Sequence, residues 1–234
     1  MKSITFFQRE VLHPLIWVEG VIGSGKSTFS REIATRLDLR LVEEPVGNGE
    51  GEENPYLEKF YQDPKTYAFG MQVFLLHKRY AMQQLAAYEA TGVGGYKGAI
   101  LDRSISGDRV FAKLHVQEGN INELDWMTYN LAYSICCRSL LPPTLMVFLD
   151  VQPETAFRRM QKRNRSAESG VPLDYLKKLH EGYQELLEEA EHGLMPWSHA
   201  VRVCRVPWDV DITGSEQWDM TAQTVLSACR TFKQ

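Results

Sequence analysis

The sequence lacks any stretch that would place it in a membrane or mark it for secretion. No run approaches the roughly 18 consecutive apolar residues of a membrane-spanning helix. Residues 1–14 include Lys2, Arg9 and Glu10, and they have no apolar core of the kind found in a signal peptide. We therefore expect a cytoplasmic protein with no membrane partner.

Cysteine is also scarce. The four cysteines form no C-x-x-C pair and have no histidine at metal-ligand spacing: Cys136, Cys137, Cys204 and Cys229. This pattern argues against a disulfide framework and against a zinc site. We expect the thiols to be reduced and to lie in the protein core.

An excess of charge of one sign is missing as well. The formal net charge is −4, so no nucleic-acid partner is expected. Apolar residues make up 44% of the chain and charged residues 24%, which is ordinary for a globular protein. No internal repeat or linker divides the sequence, and its length predicts a single domain over residues 1–234.

What the sequence does contain is a phosphate-binding loop. An apolar segment, Leu15 to Val18, leads directly into G-x-x-x-x-G-K-S from Gly20 to Ser27, and the amphipathic segment Phe29 to Leu37 follows. In such a loop, backbone N–H groups surround an anion, Lys26 reaches the β- and γ-phosphates, and Ser27 offers its hydroxyl to Mg²⁺. The motif predicts that a nucleoside triphosphate binds at Gly20, Gly23, Ser24, Gly25, Lys26, Ser27 and Thr28.

The rest of the chain alternates short apolar segments with segments of helical period. Further strands are predicted at Leu39 to Val42, Gly98 to Leu101, Thr144 to Leu149 and Val201 to Val206. Helices are predicted at Pro55 to Tyr61, Tyr67 to about Tyr88, Ile121 to Leu140, from Pro153 onward, Leu173 to His192 and Thr221 to Phe232. The alternation predicts an α/β fold with a parallel sheet covered by helices on both faces, and Gly47 to Asn54 is predicted to be a loop.

Three charged residues follow predicted strands and should share the edge of the sheet where ligands bind. Glu44 is placed to accept a proton from an attacking hydroxyl group. Asp102 offers a carboxylate to Mg²⁺, and Arg103 offers a guanidinium to phosphate oxygens. The alternatives are that Glu44 caps a surface turn and that the Asp–Arg pair is structural.

A second basic group lies between residues 158 and 165, where Arg159 and Arg163 share a helix face and Arg165 follows them. Like charges at this spacing repel each other unless a triphosphate lies among them. The alternative is a solvated basic face paired with Glu154 and Glu168.

The predicted long helix also presents polar side chains. Gln72 and Arg79 are seven residues apart on one face, where they could pair with the edge of a base. Taken alone, this pattern is more typical of the polar face of a surface helix. Tyr61 is, by the same reasoning, more typical of a core aromatic than of a ligand platform.

Along nearly the whole chain, these residues resemble the deoxynucleoside kinase family, which includes deoxycytidine and deoxyguanosine kinases. Five segments form the basis of this resemblance: Gly20 to Thr28, Glu44-Pro45-Val46, Tyr61-x-x-Pro64 with Gln72, Asp102-Arg103-Ser104 with Asp108-Arg109, and Pro153 through Arg159, Arg163, Arg165, Glu168 and Gly170 to Tyr175. Several motifs in the same order are more specific than any one of them.

The resemblance implies a P-loop α/β fold and ATP- and Mg²⁺-dependent phosphorylation of the 5′-hydroxyl of a deoxynucleoside. It makes Glu44 the base that takes the proton of that hydroxyl. It makes Arg103 the residue that holds the hydroxyl and the transferring phosphate. Tyr61 and Glu168 would bind the sugar 3′-hydroxyl, and Gln72, next to Met71, would bind the base edge.

The resemblance also implies a helical lid and a preference among bases. The lid, about residues 158–172, would cover the donor phosphates with Arg159, Arg163 and Arg165. Arg79 and Asp108 resemble a pair found in members that take deoxycytidine or purine deoxynucleosides. A homodimer is implied, through a helix like Ile121 to Leu140.

The chain departs from the family pattern at positions that bear on substrate choice. Gly47-Asn48-Gly49 stands where the family often has Trp, Met71 stands where Phe is frequent, and Asp102 replaces a frequent Glu. Three alternatives therefore stay open. They are a thymidine-preferring or broad deoxynucleoside kinase, a nucleoside monophosphate kinase such as a thymidylate kinase, and a non-catalytic P-loop subunit.

Overall fold

The computed structural model describes residues 13–43, 54–165, 170–196, 201–209 and 214–230. The strands in these ranges are β1 Leu15–Glu19, β2 Arg40–Val42, β3 Ala99–Asp102, β4 Leu145–Asp150 and β5 Val203–Pro207. The helices are α1 Lys26–Leu37, α2 Leu57–Gln62, α3 Pro64–Glu89, α4 Ile105–Gln117, α5 Glu123–Ser139, α6 Pro153–Arg163, α7 Leu173–Glu191 and α8 Ser215–Arg230. The predicted loop before Asn54 lies outside the described residues.

The strands form one parallel sheet in the order β2-β3-β1-β4-β5. The central strand β1 pairs with β3 and β4, and every residue from Leu15 to Glu19 is buried. Its continuous apolar run fits a strand that helices cover on both faces. The predicted α/β class is therefore confirmed, and the phosphate-binding loop leaves the sheet from its centre.

Three helices differ from the sequence-based prediction by three residues or more. Helix α3 begins three residues earlier than predicted because Pro64 starts it and the Asp63 side chain accepts a hydrogen bond from Thr66 N at 3.2 Å. Helix α8 likewise begins before Thr221, at Ser215. Helix α4 was not predicted at all, because its first turn buries the polar Ser106 and Asp108 and so interrupts the apolar period.

In the described ranges, no helix is long and apolar enough to cross a membrane. The four cysteines are free thiols, of which Cys137 and Cys229 are buried. Burial raises the pKa of the Cys137 thiol to about 12, so this thiol is protonated at neutral pH.

Candidate active site

The loop between β1 and α1 has a backbone that requires glycine. Gly23 and Gly25 have φ values of 79° and 94°, which other residues seldom adopt. A Cβ atom at Gly23 would also collide with the carbonyl oxygen of Ala156, because α6 packs against the loop. The loop is thus folded tightly against α6 and opens directly into the N-terminus of α1, the end of a helix that favours anions.

Lys26 lies inside this loop. Its Nζ donates hydrogen bonds to the carbonyl oxygens of Gly20 and Val21, each at 2.9 Å, and the residue is buried. Ser27 and Thr28 follow it and line the adjoining cavity. The structure therefore brings the predicted loop residues together in one place.

Two cavities adjoin the loop. The first, about 340 Å³, is lined by Gly23, Gly25, Thr28, Arg159, Arg163, Trp208 and Trp218. The second, about 290 Å³, shares Gly23, Gly25, Thr28 and Arg163 with the first and extends to Lys26, Tyr61, Arg79, Arg103, Asp108 and Arg165. Because the loop borders both cavities, a phosphate bound in it would be accessible from either of them.

The predicted basic cluster faces the loop. Arg163 lines both cavities, Arg165 lines the second, and Arg159 donates to the carbonyl oxygen of Ser24 at 3.4 Å. Glu154, one of the acidic partners proposed for a solvated basic face, instead pairs with Lys177 at 3.2 Å. The expected pairing of the basic face with Glu154 is therefore wrong, and its pairing with Glu168 is not tested because Glu168 lies outside the described residues. The three arginines supply positive charge around the loop.

Asp102 and Arg103 lie at the end of β3, beside the loop. The Asp102 side chain is 2% exposed, and within the described part of the chain its Oδ1 has no hydrogen-bond partner. A buried carboxylate oxygen without a partner is unfavourable, and a bound cation would relieve that cost.

Asp102 and Ser27 fit a magnesium site. Residues 13–43, 54–165, 170–196, 201–209 and 214–230 contain no cluster of three His, Cys, Asp or Glu side chains that could form a complete cage for a metal ion. Mg²⁺ does not need such a cage, because it usually keeps several waters and takes one or two protein ligands together with substrate phosphates. Asp102 and Ser27 are of the right chemical type for that role.

The second cavity has a buried ion pair in its wall. Arg79 Nε lies 3.1 Å and 3.3 Å from the two carboxylate oxygens of Asp108, and the two side chains are 3% and 4% exposed. Gln72 is 1% exposed, next to the buried Met71, and its Oε1 has no hydrogen-bond partner among the described residues. The interpretation of Gln72 and Arg79 as a polar surface face is therefore wrong.

The sequence pattern favours a core position for Tyr61, whereas the structure places this residue at the surface. Its side chain is 51% exposed and lines the second cavity, so it is not a core aromatic. Glu44 and Glu168 lie outside the described residues, and their placement at the site stays a prediction.

Two buried residues that the sequence-based reasoning missed also adjoin Arg103. Glu19, the last residue of β1, is fully buried and accepts hydrogen bonds from Ser104 N at 2.8 Å and from Tyr183 Oη at 3.1 Å. Burial raises the pKa of Tyr183 well above its usual value, so its hydroxyl is neutral. The sequence signal that identifies Glu19 is its position as an acidic residue at the end of an otherwise apolar strand.

Comparison with known proteins gives matches along most of the chain. A family model described as deoxynucleoside kinase matches residues 16–223. Deoxyadenosine kinase of Dictyostelium discoideum is 34% identical over 193 residues, which cover 82% of this chain and 71% of that protein. Deoxyadenosine/deoxycytidine kinase of Bacillus subtilis (strain 168) is 32% identical over 173 residues, which cover 73% and 75% of the two chains.

A solved structure of deoxyadenosine kinase from M. mycoides with bound dCTP is also similar. It has a TM-score of 0.73 and 26% sequence identity, and the match covers 92% of this chain and 99% of that one. One relative has a different kind of name: NADH dehydrogenase (ubiquinone) 1 alpha subcomplex subunit 10, mitochondrial, of Bos taurus. It is 30% identical over 186 residues, which cover 73% of this chain and 54% of that protein.

Proposed function

The chain belongs to the deoxynucleoside kinase family, and we propose that it transfers the γ-phosphate of ATP to the 5′-hydroxyl of deoxyadenosine, deoxyguanosine or deoxycytidine. One observation supports this reaction above all others. Lys26 of the phosphate-binding loop, Arg103 and the buried Arg79–Asp108 pair line the same cavity of about 290 Å³. The product would be a 5′-monophosphate, as nucleotide salvage requires.

In this reaction, the attacking 5′-oxygen forms a bond to the γ-phosphorus while the bond from that phosphorus to the ADP oxygen breaks. Glu44 accepts the proton of the 5′-hydroxyl, and Arg103 holds the hydroxyl and the transferring phosphate. Lys26 and the three arginines Arg159, Arg163 and Arg165 stabilise the negative charge on the donor phosphates. Asp102 and Ser27 would hold Mg²⁺, which offsets phosphate charge when bound.

The base would bind next to the buried ion pair. Gln72 Oε1 is an acceptor that the described residues leave unpaired, so it favours a base that presents an amino group. Adenine, guanine and cytosine each present one, whereas thymine does not. Tyr61 and Glu168 would bind the sugar 3′-hydroxyl, which fixes the orientation of the 5′-hydroxyl toward the loop.

A nucleoside monophosphate kinase is the nearer rival. It would need a further cation for the phosphate of its acceptor, beyond the arginines assigned to the transferring phosphate and the donor, and Arg79 is neutralised by Asp108. A non-catalytic subunit is the second rival, since one relative is named as a subunit of NADH dehydrogenase and not as a kinase. Lys26, Arg103 and Arg163 lie around one phosphate-binding loop. The presence of these charged groups together argues against a non-catalytic subunit.

The test is turnover of acceptors in parallel. Purified protein is incubated with ATP and Mg²⁺ and with each natural deoxynucleoside or its 5′-monophosphate, and the products are separated by chromatography. We expect 5′-monophosphates from deoxyadenosine, deoxyguanosine or deoxycytidine. Diphosphate formed from the monophosphates alone would favour the first rival, and the absence of any product would favour the second.

The surface of α5 supports a homodimer. Leu124, Met127, Leu131 and Ile135 are 71%, 63%, 65% and 61% exposed, and their spacing places them on one face of the helix. A continuous exposed apolar face is typical of a protein interface. We propose that two copies pack through this face about a twofold axis, so that the same stripe is buried on both. A cytoplasmic location stays a prediction from the sequence.

The dimer is tested by one substitution in this stripe. Leu131→Glu would bury a carboxylate at the interface, and we expect it to convert the dimer into a monomer in size-exclusion chromatography with light scattering. Leu194→Glu is the matched control, because Leu194 is 72% exposed and lies outside α5. A Leu131→Glu protein with the mass of the unsubstituted protein would contradict this interface.

A further inference from the structure

We propose that Glu19 and Tyr183 are positioning residues that fix the guanidinium of Arg103 for phosphoryl transfer. The proposal rests on the role of Arg103 in the proposed function. Glu19 ends β1 and Tyr183 lies on α7, and neither residue is needed for any role assigned above. Both side chains are fully buried, so neither is placed where it would bind substrate from solution.

Arg103 has an unusual backbone conformation that its surroundings maintain. Its φ is 68°, in a region that residues other than glycine seldom adopt. Its N–H donates to the carbonyl oxygen of Val18 at 3.0 Å, and its guanidinium carbon lies 4.7 Å from the centre of the Phe111 ring. The backbone is thus fixed, and the Phe111 ring supports one side of the guanidinium.

Tyr183 adds a hydrogen bond that orients the guanidinium. Arg103 Nη1 donates to Tyr183 Oη at 3.0 Å, and the same hydroxyl donates to Glu19 Oε2 at 3.1 Å. Because a guanidinium only donates and a carboxylate only accepts, the single hydroxyl proton must point to Glu19 and a lone pair must face Arg103. The donor and the acceptor of each hydrogen bond are therefore determined. Each bond also has one charged partner, which strengthens it.

Glu19 is itself held firmly. Its Oε1 accepts hydrogen bonds from both the backbone N–H and the hydroxyl of Ser104, the residue that precedes α4. A Cβ atom at Gly107 would collide with the Glu19 carboxylate, so this glycine leaves the space that the carboxylate occupies. The carboxylate also lies at the N-terminal turn of α4, where the helix dipole favours negative charge. Glu19 thus links β1 and α4 with Tyr183 on α7.

The test is Tyr183→Phe, which removes one oxygen atom and keeps the ring. We expect kcat for deoxyadenosine to fall roughly 10- to 100-fold, because Arg103 is no longer aimed at the transferring phosphate. The KM for deoxyadenosine and the Kd for ADP should change less than about threefold, since the phosphate-binding loop and the base site are unaltered. Because a partly unfolded preparation would also lower the apparent kcat at unchanged KM, kcat is calculated per ADP-binding site, as counted in the calorimetric titration that gives the Kd.

A second variant and a control complete the design. Glu19→Gln should lower kcat in the same direction, because an amide nitrogen in place of Oε2 donates to the tyrosine oxygen and leaves the hydroxyl proton without an acceptor. Tyr129→Phe also removes a fully buried hydroxyl, but on α5, and should leave kcat within about twofold of the unsubstituted enzyme.

The outcomes separate this inference from the proposed function. A folded Tyr183→Phe or Glu19→Gln protein with unchanged kcat would overturn the positioning role, as would an equal loss of kcat in Tyr129→Phe. If Tyr183→Phe does not fold, Glu19→Gln decides the question. Failure of the unsubstituted protein to form any 5′-monophosphate would instead overturn the proposed function.

Discussion

Glu44→Gln is expected to lower kcat for deoxynucleoside phosphorylation by about 10² to 10⁴, the usual contribution of a positioned general base. Glutamine has the size of glutamate and still accepts a hydrogen bond, but its amide does not take up the proton of the 5′-hydroxyl. Because we propose that the donor phosphates bind at the loop and the arginines, the Kd for ADP should stay the same. Steady-state kinetics and calorimetric titration measure the two quantities.

The neighbouring residue supplies a matched control. Glu43 Oε1 pairs with Arg31 at 2.6 Å on the surface, where its side chain is 46% exposed. Glu43→Gln should therefore leave kcat within about twofold of the unsubstituted enzyme. If Glu44→Gln turns over as fast as Glu43→Gln, the base is another group and the assignment of Glu44 is wrong.

Asp108→Ala is expected to lower the free energy of unfolding by about 3 to 5 kcal/mol, because it leaves the Arg79 guanidinium buried without its carboxylate. Both side chains of the pair are less than about 5% exposed, so water does not replace the lost partner. The same change should raise KM for the deoxynucleoside, since Arg79 would no longer be fixed beside the proposed base site. Urea denaturation measures the change in free energy.

An exposed ion pair provides the comparison for this stability effect. Lys113 and Glu185 also join α4 to another helix, but their side chains are 37% and 52% exposed. Glu185→Ala should therefore cost less than about 1 kcal/mol. If Asp108→Ala also lowers the free energy of unfolding by less than about 1 kcal/mol, the Arg79 guanidinium reaches water in solution and the proposed base site is more open than in the structure.

The phosphate-binding loop was predictable because local sequence determines it. Glycines at fixed offsets, an apolar strand before them and an amphipathic helix after them place Gly23, Gly25 and Lys26 without any tertiary information. The parallel sheet was predictable for a similar reason, since its strands are short apolar runs. The edge-of-sheet rule then placed Arg103 in the cavity next to the loop and Asp102 at the end of β3, opposite Val18 of β1, as the structure has them.

Polar residues in the core account for what the sequence did not reveal. A polar residue at helical spacing is usually solvated, so Gln72 and Arg79 matched a surface pattern although Arg79 is buried against Asp108. Helix α4 was missed for the same reason, because its first turn buries the polar residues Ser106 and Asp108. Such residues are stabilised by partners that are distant in sequence, and periodicity along one segment does not reveal those partners.

The most direct measurement compares deoxyadenosine with its 5′-deoxy analogue, 2′,5′-dideoxyadenosine, as acceptors for ATP. The account predicts that the analogue competes with deoxyadenosine for binding, because it keeps the base and the 3′-hydroxyl, and that it yields no phosphorylated product. Deoxyadenosine itself should give the 5′-monophosphate under the same conditions. A monophosphate formed from the analogue would show transfer to another hydroxyl and would contradict the proposed reaction.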